Sequence, residues 1–378
     1  MGENDQVQYQ YKAALVSHEL IESKKNKKNI NNLKPNNMEK SQRMLNSYNY
    51  SLATRNAVAA RRTEEGKLEV LNSERAIKEM FPDQESVFLR MVEVMRQKAN
   101  DKCICGKPIS FHWTRIKGTM KYRCNTCSGK NRIKSPLAST PLRKSHIPLN
   151  QIIEVAYEML NRKSGLASKE IERRLPCKYE TALGITRRLQ IWMGLAVGFF
   201  KFEGMVECDE TYVRCPSGFG RTVKRTRGLG SDRIKPVFVM AERGGKARGI
   251  VIDDANRANI KPIILKNISV TSPVFTDGSH IYKFLSAEGY QHQECNHSQK
   301  IYANGVAHTN TAEGFNSIIK GQIGFIHKGV SKEYLQEYID AISYRYSYKY
   351  TFDAIEALFA ALPPLNAKGK IVPNVNLN

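Results

Sequence analysis

Long apolar runs are missing from this chain. No uninterrupted stretch approaches the roughly 20 residues of a membrane span, and no basic start followed by an apolar core marks a secretory leader. A disulfide framework is missing too: eight cysteines in 378 residues are too sparse for a small secreted scaffold. An intracellular setting is therefore expected: cytoplasm or nucleoid in a bacterium, nucleus in a eukaryote. Acidic residues are also in short supply, with 36 Asp and Glu against 59 Lys and Arg, a net charge of +23. An excess of that size points to a polyanionic partner, because neutralising phosphates releases condensed counterions. Internal repeats are absent as well, which sets aside solenoids and propellers.

The positive charge is concentrated. Residues 101–150 hold eleven Lys or Arg and one acid, and residues 213–249 hold ten and two. Charge gathered in this way marks binding surfaces rather than general solubility. Residues 1–73 read as a polar basic tail, disordered or loosely helical. Within it, "KKNKKNINNLKPNN" carries five Lys and six Asn and has too little to bury; a solvated extension and a weak DNA-binding arm both fit. Residues 74–100 read as helical around a break at Pro82, with Val87, Leu89, Met91, Val94 and Met95 as the apolar side. Residues 145–195 read as three short helices, the first capped by Asn150, which suits a helix-turn-helix-like unit or a plain helical connector. Residues 200–352 turn to strands followed by helices mixed with strands, an α/β domain, with "ERGGK" as a hairpin turn. Residues 353–378 read as a C-terminal helix and tail. In the Tyr-rich helix from 334 to 350, Leu335, Ile339 and Ile342 recur at helical spacing and are read as core.

Residues 101–135 carry Cys103-x-Cys105 and Cys124-x-x-Cys127, separated by eighteen residues. Two close pairs at that separation suit a small ribbon around a tetrahedral structural Zn²⁺ held by four thiolates. The first pair is one residue tighter than usual, and His112 and His146 are alternative ligands. The sequence around the second pair, "KYRCNTCSGKNRIK", is strongly basic.

Three acids stand out beyond residue 200. Asp209 lies in "VECDETYV", Asp277 ends an apolar run in "SPVFTDGSHIY", and Glu313 opens a helix in "HTNTAEGFNSIIK". Two strand-end carboxylates and one from a nearby helix are a donor set for two Mg²⁺ (or Mn²⁺) per site, which prefer oxygen ligands. Each acid also has an ordinary explanation: Asp277-Gly278 as a turn, and Asn310-x-x-Glu313 as a capping box. Alternation along the strand sets Glu207, Asp209 and Thr211 on one face and Cys208 and Glu210 on the other. Glu207 is then a nearby helper, and Glu210 a salt-bridge partner for the basic loop "RTVKRTRGLGSDRIK".

Taken together, "VECDETYV", "TDGSHIY" and "HTNTAEGFNSIIKGQIGFIHKGVSKEYLQEYI" resemble the ISXO-like DDE transposases of insertion sequences, relatives of the Merlin transposases. The resemblance runs over about residues 78–350. It implies an RNase H-like mixed sheet flanked by helices, preceded by a zinc ribbon and the helical unit. It places the catalytic, Mg²⁺-binding carboxylates on Asp209, Asp277 and Glu313, with Asn310 and His308 beside them. The implied partners are double-stranded DNA, both element terminal inverted repeats and target, and a homodimer or larger assembly that joins two ends. The implied reaction cuts the ends and joins a 3′-hydroxyl to target DNA. Phosphate contacts are expected from Arg115, Lys121, Arg123, Lys130 and Arg132 around the cysteines and from Arg187 and Arg188 on the third helix. Further contacts are expected from Arg221, Lys224, Arg225 and Arg227 in the basic loop and from Lys320, two turns beyond Glu313. An RNase H-like nuclease without strand transfer and a domesticated DNA-binding protein are the alternative readings.

Overall fold

Asp83 starts the first long helix. Its extended backbone leaves the side chain free to accept from the Ser86 N–H at 2.8 Å, capping α2 (Gln84–Lys98) after the short α1 (Glu74–Met80) and the break at Pro82. A computed structural model of the chain describes residues 74–107, 111–116, 119–124, 126–128, 133–143, 145–162, 164–216, 233–295, 308–348 and 354–365. The tails 1–73 and 366–378, and the basic loop at 221–232, lie outside the described residues. All described residues belong to one unit, Arg61–Asn378. On α2 the buried side is Val87, Phe88, Met91, Val92 and Met95. Leu89, expected on that side, is exposed, because it lies two positions from both Val87 and Met91, about 200° round the helix from each.

A three-stranded antiparallel sheet follows: β1 (Phe111–Ile116), β2 (Thr119–Cys124) and β3 (Ile133–Lys134), in the order β1-β2-β3. Then come α3 (Leu149–Asn161), α4 (Ser168–Arg174) and α5 (Tyr179–Gly198). Asn150 is not the cap of α3. Pro148 holds that position and Asn150 is already inside the helix, which fits the fixed φ of proline at a helix entrance. Charged pairs tie α3 to α4: Glu158 meets Arg162 and Arg174, and Glu170 meets Arg162. The third helix runs to Gly198, beyond the expected bound at residue 195.

The second sheet has five strands, β4 (Val206–Arg214), β5 (Ile234–Glu242), β6 (Ala247–Val251), β7 (Val274–Asp277) and β8 (His292–Cys295). Their order is β6-β5-β4-β7-β8, so β4 lies in the middle. It pairs antiparallel with β5, from Val206↔Glu242 to Arg214↔Ile234, and parallel with β7. The β5–β6 hairpin turns at Gly244, whose φ of 72° needs a residue without a Cβ, as the ERGGK stretch predicts. Between β6 and β7 runs α6 (Arg257–Asn267); α7 (Phe284–Ala287) precedes β8. The chain closes with α8 (Asn310–Gly321), a π-helical turn at Gln322–Ile326, α9 (Leu335–Tyr348) and α10 (Ala354–Ala360).

Period-2 alternation divides the sheet between two cores. Val237, Val239 and Ala241 face Ala312, Phe315 and Ile319 of α8 and Leu335, Ile339 and Ile342 of α9. Phe238 and Met240 face the larger core built with α2, α3, α5 and α6. That larger core also takes in α10: Trp192 donates its indole N–H to the Leu358 carbonyl at 2.6 Å, and Arg90 pairs with Glu356. Helix α9 closes the β6 edge of the sheet. Its Ser343 accepts from the Gly249 N–H at 3.1 Å and its Gln336 from the Val251 N–H at 2.7 Å, satisfying strand groups that would otherwise invite another chain. Gly249 has no room for a side chain there: a Cβ would lie 2.7 Å from Ile339. Among the described residues no helix is long and apolar enough to cross a membrane.

Candidate active site

The face of β4 that meets α8 carries Glu207 and Asp209, and the opposite face carries Glu210. Asp209 sits on the central strand across from Val239, and Asn316 of α8 donates to its Oδ2 at 2.7 Å. Its Oδ1 accepts from the Glu210 N–H at 2.9 Å. Asp277 is the last residue of β7, the parallel neighbour of β4, and its Oδ1 accepts from the Ser279 N–H at 3.1 Å in the turn that follows. Glu313 stands in the first turn of α8, exposed, with the Thr309 hydroxyl donating to its Oε1 at 3.0 Å. Thr309, not Asn310, is the N-cap residue; Asn310 is the first helical residue and is exposed. The capping-box alternative is not what forms: Thr309 makes no side-chain cap bond, and the position three residues beyond it is Ala312.

Asp209 feels the charge of both other acids, although among the described residues the three carboxylates do not close into a tight ligand group as the cysteines do. Burial raises Asp209 to about 6, with the negative charges of Asp277 and Glu313 adding to the rise; the Glu210 N–H and the Lys320 cation work against it. Lys320 thus lies within electrostatic reach of Asp209, exposed near the end of the same helix as Glu313. Glu210 is also raised, to about 7, first by burial and then by Asp277 and Asp209, although the Tyr282 hydroxyl donates to it at 2.5 Å. Its partner among the described residues is therefore this tyrosine of the "TDGSHIY" stretch. The basic loop expected to pair with it lies outside them.

Carboxylate oxygens at a strand end and a helix start are the donor type that fits a hard divalent cation such as Mg²⁺ or Mn²⁺. A buried Asn316 Oδ1 without a protein donor, beside Asp209, adds an unsatisfied oxygen to that set. His308 turns the other way. Its Nδ1 is 3.1 Å from Glu207 Oε1, and burial followed by the charge of Arg243 lowers its pKa.

The cysteines converge more tightly. All four ligand atoms of Cys103, Cys105, Cys124 and Cys127 lie within 4.8 Å of one another, the one such group among the described residues. Cys103 and Cys127 sulfurs are 3.7 Å apart, and those of Cys105 and Cys124 4.0 Å. A tetrahedron with metal–sulfur bonds of about 2.3 Å has edges of about 3.8 Å, so the donor set fits a four-thiolate zinc. The short first pair is accommodated by a tight turn: the Gly106 N–H donates to the Cys103 carbonyl at 2.8 Å, and Gly106 takes a φ of 78°. At Cys124, burial opposes the thiolate, but the N–H groups of Thr126 and Cys127 and the neighbouring thiols overcome it and bring the pKa to about 6.

The expected phosphate contacts divide three ways. Lys121 is half-buried on β2, and Arg115 and Arg123 sit on β1 and β2. Lys130, Arg132, Arg221, Lys224, Arg225 and Arg227 lie outside the described residues. Arg187 and Arg188 are engaged within the protein: Arg187 pairs with Glu337 at 3.1 Å and stacks over Tyr334, and Arg188 donates to the carbonyls of Pro141 and Arg143.

A model of the ISXO2-like transposase domain matches residues 201–347, a span that holds the five-stranded sheet, Asp209, Asp277 and Glu313. Residues 201–347 form an ISXO2-like transposase domain. No curated protein matches the chain. The transposase domain accounts for the sheet, α8 and α9, and leaves the cysteine ribbon and α3–α5 outside the match. A domain of this family implies DNA as the class of partner and suggests a DNA-processing enzyme. Three residues around the acids were not singled out by sequence reasoning: Asn316, Arg243 and Thr311. A weak signal existed for Asn316, since an asparagine inside a helix competes with the backbone and calls for a polar partner.

Proposed function

We propose that the chain is a DNA transposase that binds the ends of a mobile element, cuts them and joins the freed 3′-hydroxyl to target DNA. The observation that carries this reading is the raised pKa of Asp209, held up by burial and by Asp277 and Glu313 inside a transposase domain. A buried carboxylate whose proton is held by burial and by two neighbouring acids is favoured by a cationic partner. Asp209, Asp277 and Glu313 would hold two Mg²⁺ or Mn²⁺ ions, which when bound supply Lewis-acid stabilisation of charge on the phosphate. A mixed sheet with the first acid on its central strand supports an RNase H-like fold.

The chain's own groups then divide the work. Asn316 fixes the Asp209 carboxylate by its 2.7 Å hydrogen bond. Lys320, exposed on the helix of Glu313, binds a DNA phosphate near the acids. Asn310, exposed at the start of α8, orients water or DNA at the mouth of the site. The four-cysteine ribbon holds a structural Zn²⁺ and, with Arg115, Lys121, Arg123, Lys130 and Arg132, lies along the DNA backbone. The basic loop with Arg221, Lys224, Arg225 and Arg227 tracks phosphates as well. The helices α3–α5 act as the helix-turn-helix-like unit. Arg187 and Arg188, engaged as they are, contribute by holding that unit in shape while presenting residual charge. Two ends brought together require at least a dimer.

A joining assay tests this reading. Duplexes cut from the DNA flanking the gene, with free 3′-hydroxyl ends, are incubated with the protein, Mg²⁺ and a target plasmid. Covalent end-to-plasmid products are expected. Hydrolysis without joined products would replace the transposase reading with a nuclease.

A further inference from the structure

Glu207 is fully buried, yet its two oxygens make at least four hydrogen bonds. Oε2 accepts from the backbone N–H groups of Thr311 at 2.6 Å and Ala312 at 3.1 Å. Oε1 accepts from the Thr311 hydroxyl at 3.1 Å and from Arg243 Nε at 2.6 Å. Arg243 in turn donates to the His308 carbonyl at 2.9 Å and lies over the Phe275 ring, 4.1 Å away and two residues before Asp277.

The first N–H groups of a helix have no partner inside it, and a buried carboxylate at that end is favoured by the helix dipole as well. Thr309, the N-cap residue of α8, makes no side-chain capping bond. The cap comes instead from a neighbouring strand. Two residues along β4, Asp209 makes the second tie to the same helix through Asn316. The spacings match: two strand residues advance about 6.7 Å, and the four helix residues from Ala312 to Asn316 about 6 Å. Two carboxylates at that repeat fix both the rotation and the height of α8 against β4. Glu313 is the next residue after the pair of pinned amides. With both oxygens engaged and no exposed surface, Glu207 has no geometry for binding a cation itself.

We infer that Glu207 is a positioning residue: it clamps the start of α8 so that Glu313 stands opposite Asp209, and thereby sets the divalent-cation affinity of the acidic site. The cation part rests on the function proposed above. Glu207→Gln removes the charge and one acceptor at constant size. Glu207→Gln/Arg243→Met does the same without leaving a lone buried guanidinium, should the single variant fail to fold. Mn²⁺ alone is titrated into each full-length protein and followed by its paramagnetic signal. Amide hydrogen exchange is measured in the same samples.

A 10- to 100-fold weaker Mn²⁺ affinity is expected, the usual effect of losing an outer-sphere support. Faster exchange at Thr311 and Ala312, with Val239 of β5 unchanged, is expected alongside it. Wild-type Mn²⁺ affinity in a folded variant, or unchanged exchange at those two amides, would overturn the proposal. A wild-type protein that binds no Mn²⁺ would instead sink the three-acid reading, and the exchange result would still decide whether Glu207 sets the helix.

Discussion

Four thiols in the ribbon converge on one point, whereas three carboxylates in the transposase domain are each held by a separate donor. The thiols span 3.7–4.0 Å in their close pairs, near the edge of a zinc–thiolate tetrahedron, and nothing else needs to enter. The carboxylates keep Asn316, Ser279 and Thr309 as partners and leave Glu313 exposed. A closed site serves the fold and an open one serves chemistry, because only the second leaves room for substrate. The contrast teaches that proximity of ligand types does not by itself identify a catalytic centre. What separates the two is whether the ligand atoms close on a single point or stand apart on separate donors.

The largest effect is expected from breaking the closed site. Cys124→Ser should take the zinc content from about one per chain to near zero. Zinc at such sites contributes on the order of 10 kcal/mol to folding, so the ribbon should melt. Metal analysis together with the exchange of β1–β3 amides checks this, and the amides of β4 and β5 should stay protected.

The open site should behave in the opposite sense. Asp209 carries a pKa of about 6 when folded, above its ordinary value of 3.8. The unfolded chain therefore gives up this proton more readily, and ionising Asp209 destabilises the native state at neutral pH. That cost is full above about 6, shrinks as pH falls, and is gone below the unfolded value. Asp209→Asn should thus stabilise the metal-free protein at pH 7.5 by on the order of 2 kcal/mol, a melting temperature several degrees higher. The gap between variant and wild type should close as pH is lowered from 7 to 4. A variant less stable than wild type at pH 7.5 would mean that the charge at Asp209 is already compensated.

A smaller effect separates the helix from its acids. Gly314 follows Glu313 in α8, and an added Cβ there would meet nothing within 4 Å. Gly314→Ala should stabilise the protein by about 0.5–1 kcal/mol, read from denaturant midpoints. Weaker DNA binding by that variant would show that the bare backbone face is used for close approach.

The places of Asp209 on a strand and Glu313 at a helix start were legible from local pattern, while their grouping with Asp277 as one set came from the family resemblance. The division of β4 into a Glu207/Asp209 face and a Glu210 face follows from the strand's alternation. What pairs with each acid was not legible, since Glu207 meets residues 36 and 104 positions away. Nor does a basic residue announce whether it is already engaged. Arg187 and Arg188 read like phosphate contacts until Glu337 and two backbone carbonyls are found beside them. Local signals misplaced caps by one or two residues, at Asn150 and Asn310, because tertiary partners and a proline decided those ends.

The proposed difference between the two sites rests on catalysis at the acidic one. The most direct measurement is Mg²⁺-dependent cleavage of supercoiled plasmid carrying the gene's flanking DNA, comparing wild type with Asp209→Asn. The expected result is loss of cleavage by at least about 1000-fold, the several kcal/mol that metal-assisted phosphoryl transfer supplies, with DNA retention in gel-shift assays essentially unchanged. An Asp209→Asn protein that cuts at the wild-type rate would contradict it.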